Sequence, residues 1–250
     1  MTTPERPVGA VAVIGGVDEP GLDRCLALIQ DLASVSTHVR ATLRDLPADV
    51  GAVFLPHALP EHNADTRVPV VTGRDTAAIA LSAAVLTTLT RAGRRPRTSR
   101  VLIAGADTTP LLSPLLAAAG VCDITIWSMK DAARFPLRRL TADVHVVVDL
   151  LDITAQAGID APDATPAVVT PHGHDAVLAV PGLLRALLRT PDARLDVSVC
   201  HACVLALVMA TPLGERLPIG PDQALTDQIA DAATQQMRRP YDFGSSRPAG

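Results

Sequence analysis

His172, His174 and Asp175 stand together in the segment Thr170–Val177, "TPHGHDAV". Imidazole is the side chain poised to exchange a proton near neutral pH, and a neighbouring carboxylate can orient it or act as a second base. The trio therefore fits acid–base chemistry on a small substrate. A plainer account covers the same residues: Asp175 caps the helix that follows and the histidines line a polar loop. Cys200-His201-Ala202-Cys203 is equally two-sided. Near a helix start, a Cys-x-x-Cys pair has its thiol pKa lowered and suits redox chemistry. However, no thioredoxin-like strand precedes it, and no second cysteine pair completes a zinc site. Thiols three apart on an apolar helix read as buried small residues. His57 and His62, flanked by prolines in "LPHALPEHN", are candidates for a cleft wall.

A second constellation lies in Val101–Gly120, "VLIAGADTTPLLSPLLAAAG", which begins like the strand, tight turn and helix that bind a dinucleotide. In that motif the first glycine makes the turn, the second admits the pyrophosphate and the third lets helix and strand pack closely. Here the positions are Gly105, Asp107 and Pro110. A carboxylate at Asp107 opposes a diphosphate at contact distance, at a cost of several kcal/mol (~4 at an effective dielectric of 20). Asp107 is also expected to cap the helix, and Pro110 removes an amide from its first turn. The next strand ends in Trp127-Ser128-Met129-Lys130, without the acid that NAD ribose hydroxyls require. Ser128, Lys130 and Arg134 instead suit a 2′-phosphate, so NADP is the dinucleotide a surviving site would take. Solvation alone also accounts for Lys130.

These residues need elements to hold them. Apolar runs at Val11–Ile14, Gly51–Leu55, Val68–Val71, Val101–Ala104, Ile124–Trp127, Val144–Val148 and Ala167–Thr170 read as strands of parallel sheet. The spacing of Leu22, Leu26, Ile29 and Ala33 predicts an amphipathic helix. Thr76–Arg91 reads as a helix apolar on all sides, hence buried, with Asp75 as N-cap and Gly93 as stop. Further helices are expected over Asp175–Leu188, Asp196–Met209 and Pro221–Met237, and the tail after Met237 has a disorder-prone composition. The alternation predicts an α/β protein with a doubly wound, Rossmann-like parallel sheet, a small N-terminal α/β remnant and C-terminal helices. Its expected divisions are 1–74, 75–190, 191–240 and a flexible 241–250. Asp149 and Asp152 fall at a strand end, where ligands of such sheets bind.

Composition narrows the partners. At 250 residues and 48% apolar, the chain builds a substantial core. A net charge of −4, scattered arginines and 2% aromatic residues argue against nucleic acid. The sequence shows neither a secretory leader nor an apolar run of spanning length, so a membrane is not expected and the cytoplasm is. Four scattered cysteines do not make a disulfide framework. Lys130 is the only lysine and Tyr241 the only tyrosine, so a mechanism needing either has one candidate.

The run from Arg67, "RVPVVTGRDTAAIALSAAVLTTLTRAGRRPRTSRVLIAGADTTPLLSPLLAAAGVCDITIWSMKDA", resembles the NAD-binding domain of malic enzymes. "DAVLAVPGLLRALL" (Asp175–Leu188) is similar to that family's Asn-Asn-Val-Leu-Ala-Phe-Pro-Gly segment. The resemblance implies a crevice between two α/β units and a homo-oligomer, with a dimer expected. Malic enzymes oxidise malate with NAD(P) and decarboxylate the product on a divalent metal held by three carboxylates, with a lysine and a tyrosine as acid/base groups. The family's acidic pair stands here as Leu55-Pro56, its acidic turn is shortened to "TGRDT" with Asp75 as sole acid, and its substrate-binding asparagines stand as Asp175-Ala176. One carboxylate is not a site for a hard divalent ion. The part of the family that carries the tyrosine and lysine is expected to be missing. The expectation is a shortened malic-enzyme-like scaffold without a metal centre that has turned to a small-molecule substrate. An atypical NADP oxidoreductase and a non-catalytic partner subunit are the alternatives.

Overall fold

Short apolar runs recur along the chain, and each becomes a strand flanked by helices, because a run apolar on every residue must be covered on both faces. The computed structural model describes residues 9–15, 22–40, 42–43, 46–57, 67–154, 166–171, 175–190 and 192–239. The first sheet comprises β1 (Ala10–Ile14), β2 (Ser36–Arg40), β3 (Val50–Leu55) and β4 (Val70–Thr72), all parallel, in the order β2-β1-β3-β4. The second comprises β5 (Arg100–Ala104), β6 (Asp123–Trp127), β7 (Val146–Asp149) and β8 (Ala167–Val169), also parallel, in the order β6-β5-β7-β8. The chain thus lays down the same strand order twice. In each sheet the order reverses beside the first strand, so the carboxyl ends of β1/β3 and of β5/β7 are the places where ligands of such sheets bind. The first sheet has as many strands as the second, more than a remnant.

The helices are α1 (Leu22–Ala33), α2 (Gly73–Arg91), α3 (Leu112–Ala118), α4 (Leu137–Leu140), α5 (Val180–Arg189), α6 (Val197–Ala210) and α7 (Gln223–Met237). Alternate strand residues face opposite sides. Val11, Val13 and Phe54 of the first sheet and Val101, Ile103 and Val148 of the second join α2, α5 and α6 in one continuous core. Ala12, Ile14 and Val53 face the other way, as do Leu102, Ala104 and Val147, which meet Trp127 and Leu137. Helix α2 leaves β4 directly and is buried along most of its length, as its all-round apolar pattern requires. Helix α5 lies close on the first sheet: a Cβ at Gly51 would stand 2.7 Å from Leu188 Cδ2.

Local chemistry departs from expectation at four points. β2, "STHVR", is largely exposed and has no apolar run to announce it; pairing with β1 makes it a strand. The N-cap of α2 is Thr72 rather than Asp75, which sits at the third helical position and closes a capping box. Asp175 does not cap a helix over 175–188: it opens a 3-10 turn (Asp175–Val177), and α5 starts only at Val180, with Pro181 in its first turn. Asp107 does not cap α3, which begins at Leu112 without any side-chain cap. Elsewhere the expected ends hold. Asp196 caps α6 by accepting from the Val199 amide at 2.9 Å, and Gly93 adopts φ +67° just beyond α2.

Candidate functional site

The dinucleotide-like turn follows β5. Gly105 adopts φ +86°, a left-handed conformation that only glycine takes readily, and its amide donates to the Trp127 carbonyl at 2.9 Å. A 3-10 turn (Ala106–Thr108) follows where a dinucleotide motif begins its helix. Within this turn the Thr108 amide donates to the Gly105 carbonyl (3.0 Å), that of Thr109 to Ala106 (3.1 Å) and that of Leu112 to Thr109 (3.1 Å). The Thr108 hydroxyl also donates to the Gly105 carbonyl, at 2.9 Å. Among the described residues the Ala106, Asp107 and Leu111 amides of this segment lack an acceptor, and Asp107 carries its own exposed carboxylate. Helix α3 is two turns long and starts late, so its dipole is short and displaced from the turn. An exposed carboxylate beside these amides and a late, short helix disfavour a diphosphate at this turn.

Beside it, Ser128 follows β6. Its hydroxyl donates to Asp131 Oδ2 at 2.8 Å, and its amide donates to the same oxygen at 3.2 Å, closing a capping box over the 3-10 turn Met129–Asp131. The Ser128 hydroxyl is therefore committed to a carboxylate, which would itself repel a 2′-phosphate. Lys130 and Arg134 are exposed, and the Arg134 guanidinium stacks 5.3 Å from the Phe135 ring centroid.

At the switch point between β5 and β7, Asp149 is buried and its carboxylate gathers the loop that follows. It accepts from the amides of Leu151 (3.0 Å), Ile153 (2.8 Å) and Thr154 (2.7 Å) and from the Thr154 hydroxyl (2.8 Å). This is a structural role, with the acid's oxygens turned into its own loop. The gathered loop lays Leu151 on the glycine turn: a Cβ at Gly105 would stand 2.7 Å from Leu151 Cγ. Apolar atoms thus cover the glycine whose bareness would otherwise admit a ligand. No sequence signal marks Leu151, because a leucine after a strand is unremarkable until its neighbour in space is known.

In the first sheet, β3 ends at Leu55 and the Pro56 carbonyl abuts Gly73, where a Cβ would stand 2.1 Å from that oxygen. Only glycine fits this start of α2. Thr72 and Asp75 are engaged with each other: the Thr72 hydroxyl donates to Asp75 Oδ2 at 2.7 Å, and the Asp75 amide donates back at 3.1 Å. Thr72-x-x-Asp75 and Ser128-x-x-Asp131 are thus the same device at two strand ends. The 3-10 turn beginning at Asp175 packs on α2. His172, His174 and His62 lie outside the described residues. Among those described, no group of three His, Cys, Asp or Glu side chains is placed to hold a metal ion.

Cys200 and Cys203 are buried on α6. Contrary to the lowering expected near a helix start, burial pushes both thiols up, Cys203 to about 12; for Cys200 the Cys203, Asp75 and Asp196 side chains add to the effect. Neutral, inaccessible thiols suit packing, not redox exchange. No described helix is long and apolar enough to cross a membrane.

No protein-family model and no curated protein matches the chain. Solved structures do. An NAD-dependent malic enzyme from Thermotoga maritima superposes with a TM-score of 0.73 at 13% identity, over 92% of this chain and 85% of that one. Malic enzymes from Pyrococcus horikoshii (TM-score 0.69, 14% identity, 93% and 77% covered) and Entamoeba histolytica (0.69, 13%, 93% and 69%) are similar to it over the same extent. The chain has the fold of these structures, two parallel α/β sheets with flanking helices, at identities that establish the fold alone.

Proposed function

We propose that this chain keeps the fold and crevice of the malic-enzyme structures without malate oxidation and decarboxylation. In this reading it is a non-redox enzyme that moves protons on a small polar or carbonyl compound, in the manner of a lyase, isomerase or hydrolase. The carrying observation is the turn at Gly105, with the Gly105, Thr108 and Thr109 amides engaged internally, Leu151 laid over the glycine and the Asp107 carboxylate beside the remaining donors. Hydride transfer needs a bound dinucleotide, and this turn disfavours its diphosphate.

The working group is His172, His174 and Asp175. Support comes from chain position: Pro171 and Asp175 bracket the histidines at the carboxyl end of β8, where ligands of parallel sheets bind. One imidazole would take a substrate proton and the other return it, with Asp175 fixing the ring that acts as base. The test is a thermal-shift screen of NAD, NADP and small hydroxy and keto acids on the wild-type chain, followed by turnover of each stabilising acid. Stabilisation by an acid, with turnover lost in His172→Ala and His174→Ala, is the expected result. Unchanged turnover in both variants rejects the assignment. Stabilisation by NADP that Lys130→Ala abolishes establishes the oxidoreductase reading instead.

A further inference from the structure

Helices α6 and α7 pack side by side and leave a groove of about 560 Å³ between them. Its walls include Ala202, Leu205 and Met209 of α6 and Ala232 and Arg239 at α7. Two large apolar side chains in it face solvent, Leu205 at 46% and Met209 at 77% exposure. His201 also lines the groove, and its Nε2 is buried without a partner among the described residues. Ser198, Gln228, Gln235 and Gln236 complete the lining, so the exposed apolar side chains of α6 face a polar wall on α7, and exposed apolar side chains grouped along a groove mark a surface that another segment covers.

We propose that the chain's own segment 240–250 covers it, seating Tyr241 and Phe243 against Leu205 and Met209. The first argument is continuity: Arg239, the last described residue, is itself part of the groove wall. Phe243 is four residues beyond Arg239, so its Cα lies within about 14 Å of it. The α6 wall from Ser198 to Met209 is about 16 Å long, a comparable span. Composition is the second argument. The chain has only three phenylalanines, one tyrosine and one tryptophan, yet two of these five rings fall at Tyr241 and Phe243. Rings on a solvated tail would contribute nothing, whereas in an apolar groove they bury large areas at little cost in side-chain entropy. Polar groups match as well. Asp242 lies between the rings, close in sequence to Arg238 and Arg239. The inference is independent of the reaction proposed above.

Because Tyr241 is the only tyrosine, incorporation of 3-fluorotyrosine into the full chain yields a single ¹⁹F resonance that reports on the tail. The expected result is a resonance displaced from that of free fluorotyrosine, independent of protein concentration, that moves to the free position in Leu205→Glu/Met209→Glu. Both substituted side chains are solvent-facing, and an unchanged ¹H spectrum of the aliphatic core confirms that the variant folds. If the double variant does not fold, Phe243→Ser serves instead and is expected to shift the resonance towards the free position. A free-position signal in the unaltered chain overturns the proposal. So does a displaced signal that survives both groove and tail substitutions, or one that reverts on dilution, which would identify a second copy as the occupant.

Discussion

The Arg185 guanidinium, buried on α5, pairs with the Asp227 carboxylate on α7 and also donates to the Leu32 and Ala33 carbonyls that end α1. One side chain thus ties together the helix that leaves β1, the helix that crosses the first sheet and the C-terminal helix. Gln223 donates to the same Asp227 oxygen at 2.8 Å, so the acid is held from its own helix too.

Removing Arg185 strands buried carbonyls and leaves a cavity. Arg185→Ala is expected to lower unfolding stability by about 3–4 kcal/mol, in the range for breaking a buried pair. Asp227→Asn, at a side chain 56% exposed, costs less than about 1 kcal/mol. Urea denaturation followed by the single tryptophan, Trp127, reads both.

The contact between Gly105 and Leu151 predicts a rescue. Gly105→Ala places a Cβ against Leu151 and forces a non-glycine residue to φ +86°, a loss of about 2–3 kcal/mol in all. Adding Leu151→Ala relieves the steric part alone, so the double variant should be more stable than the sum of its two single losses. Strict additivity in the denaturation cycle would show that the two side chains do not meet.

Asp149→Ala removes the acceptor of four hydrogen bonds to the 151–154 segment. The expected cost is about 2–3 kcal/mol, with limited proteolysis cutting the variant within that segment before the unaltered chain is cut there.

Three thiols are buried and one, Cys122, is exposed. Iodoacetamide at about pH 8 should label Cys122 in the native chain, with Cys25, Cys200 and Cys203 labelled only on unfolding. Mass spectrometry of the digest decides this. The fold raises Cys25 from 9.0 to about 11 through burial, so the folded state holds that proton more tightly than the unfolded chain does. The resulting contribution is present below pH 9.0 and is lost as pH rises through about 11.

His145 and His201 act at the other end of the scale. Burial lowers both from 6.5, and the Arg94 and Arg100 charges lower His145 further. The folded state therefore favours neutral imidazoles, and their contribution, complete above pH 6.5, falls as pH drops below that value. Urea midpoints in His201→Asn should decline less steeply over that acid range than in the unaltered chain. An identical slope would remove His201 from the account.

Much of the fold was legible in the order of residues. Seven of the eight strands and the extents of α1, α6 and α7 follow from apolar periodicity, which burial on both sheet faces or on one helix face enforces. β2 escaped because an exposed edge strand needs only a backbone partner. The caps were harder: Asp75, Asp107 and Asp175 each stand near a helix start, yet the first closes a capping box from inside the helix and the other two lie in 3-10 turns. Type and position suggest a cap, but backbone path decides which residue takes that place.

Amino-acid order by itself determined that the chain alternates strand and helix, that its sheets are parallel and buried, and that Gly105 makes a turn at the end of one of them. These are local consequences of side-chain period and of glycine's freedom at positive φ. Only the tertiary structure decided what the turn can hold. It brought Leu151 over Gly105, turned Asp149 into its own loop, bound Ser128 to Asp131 and set Cys200 and Cys203 into the core. Whether a carboxylate, hydroxyl or thiol is available for chemistry depends on which partner already holds it, and those partners meet only when the chain is folded.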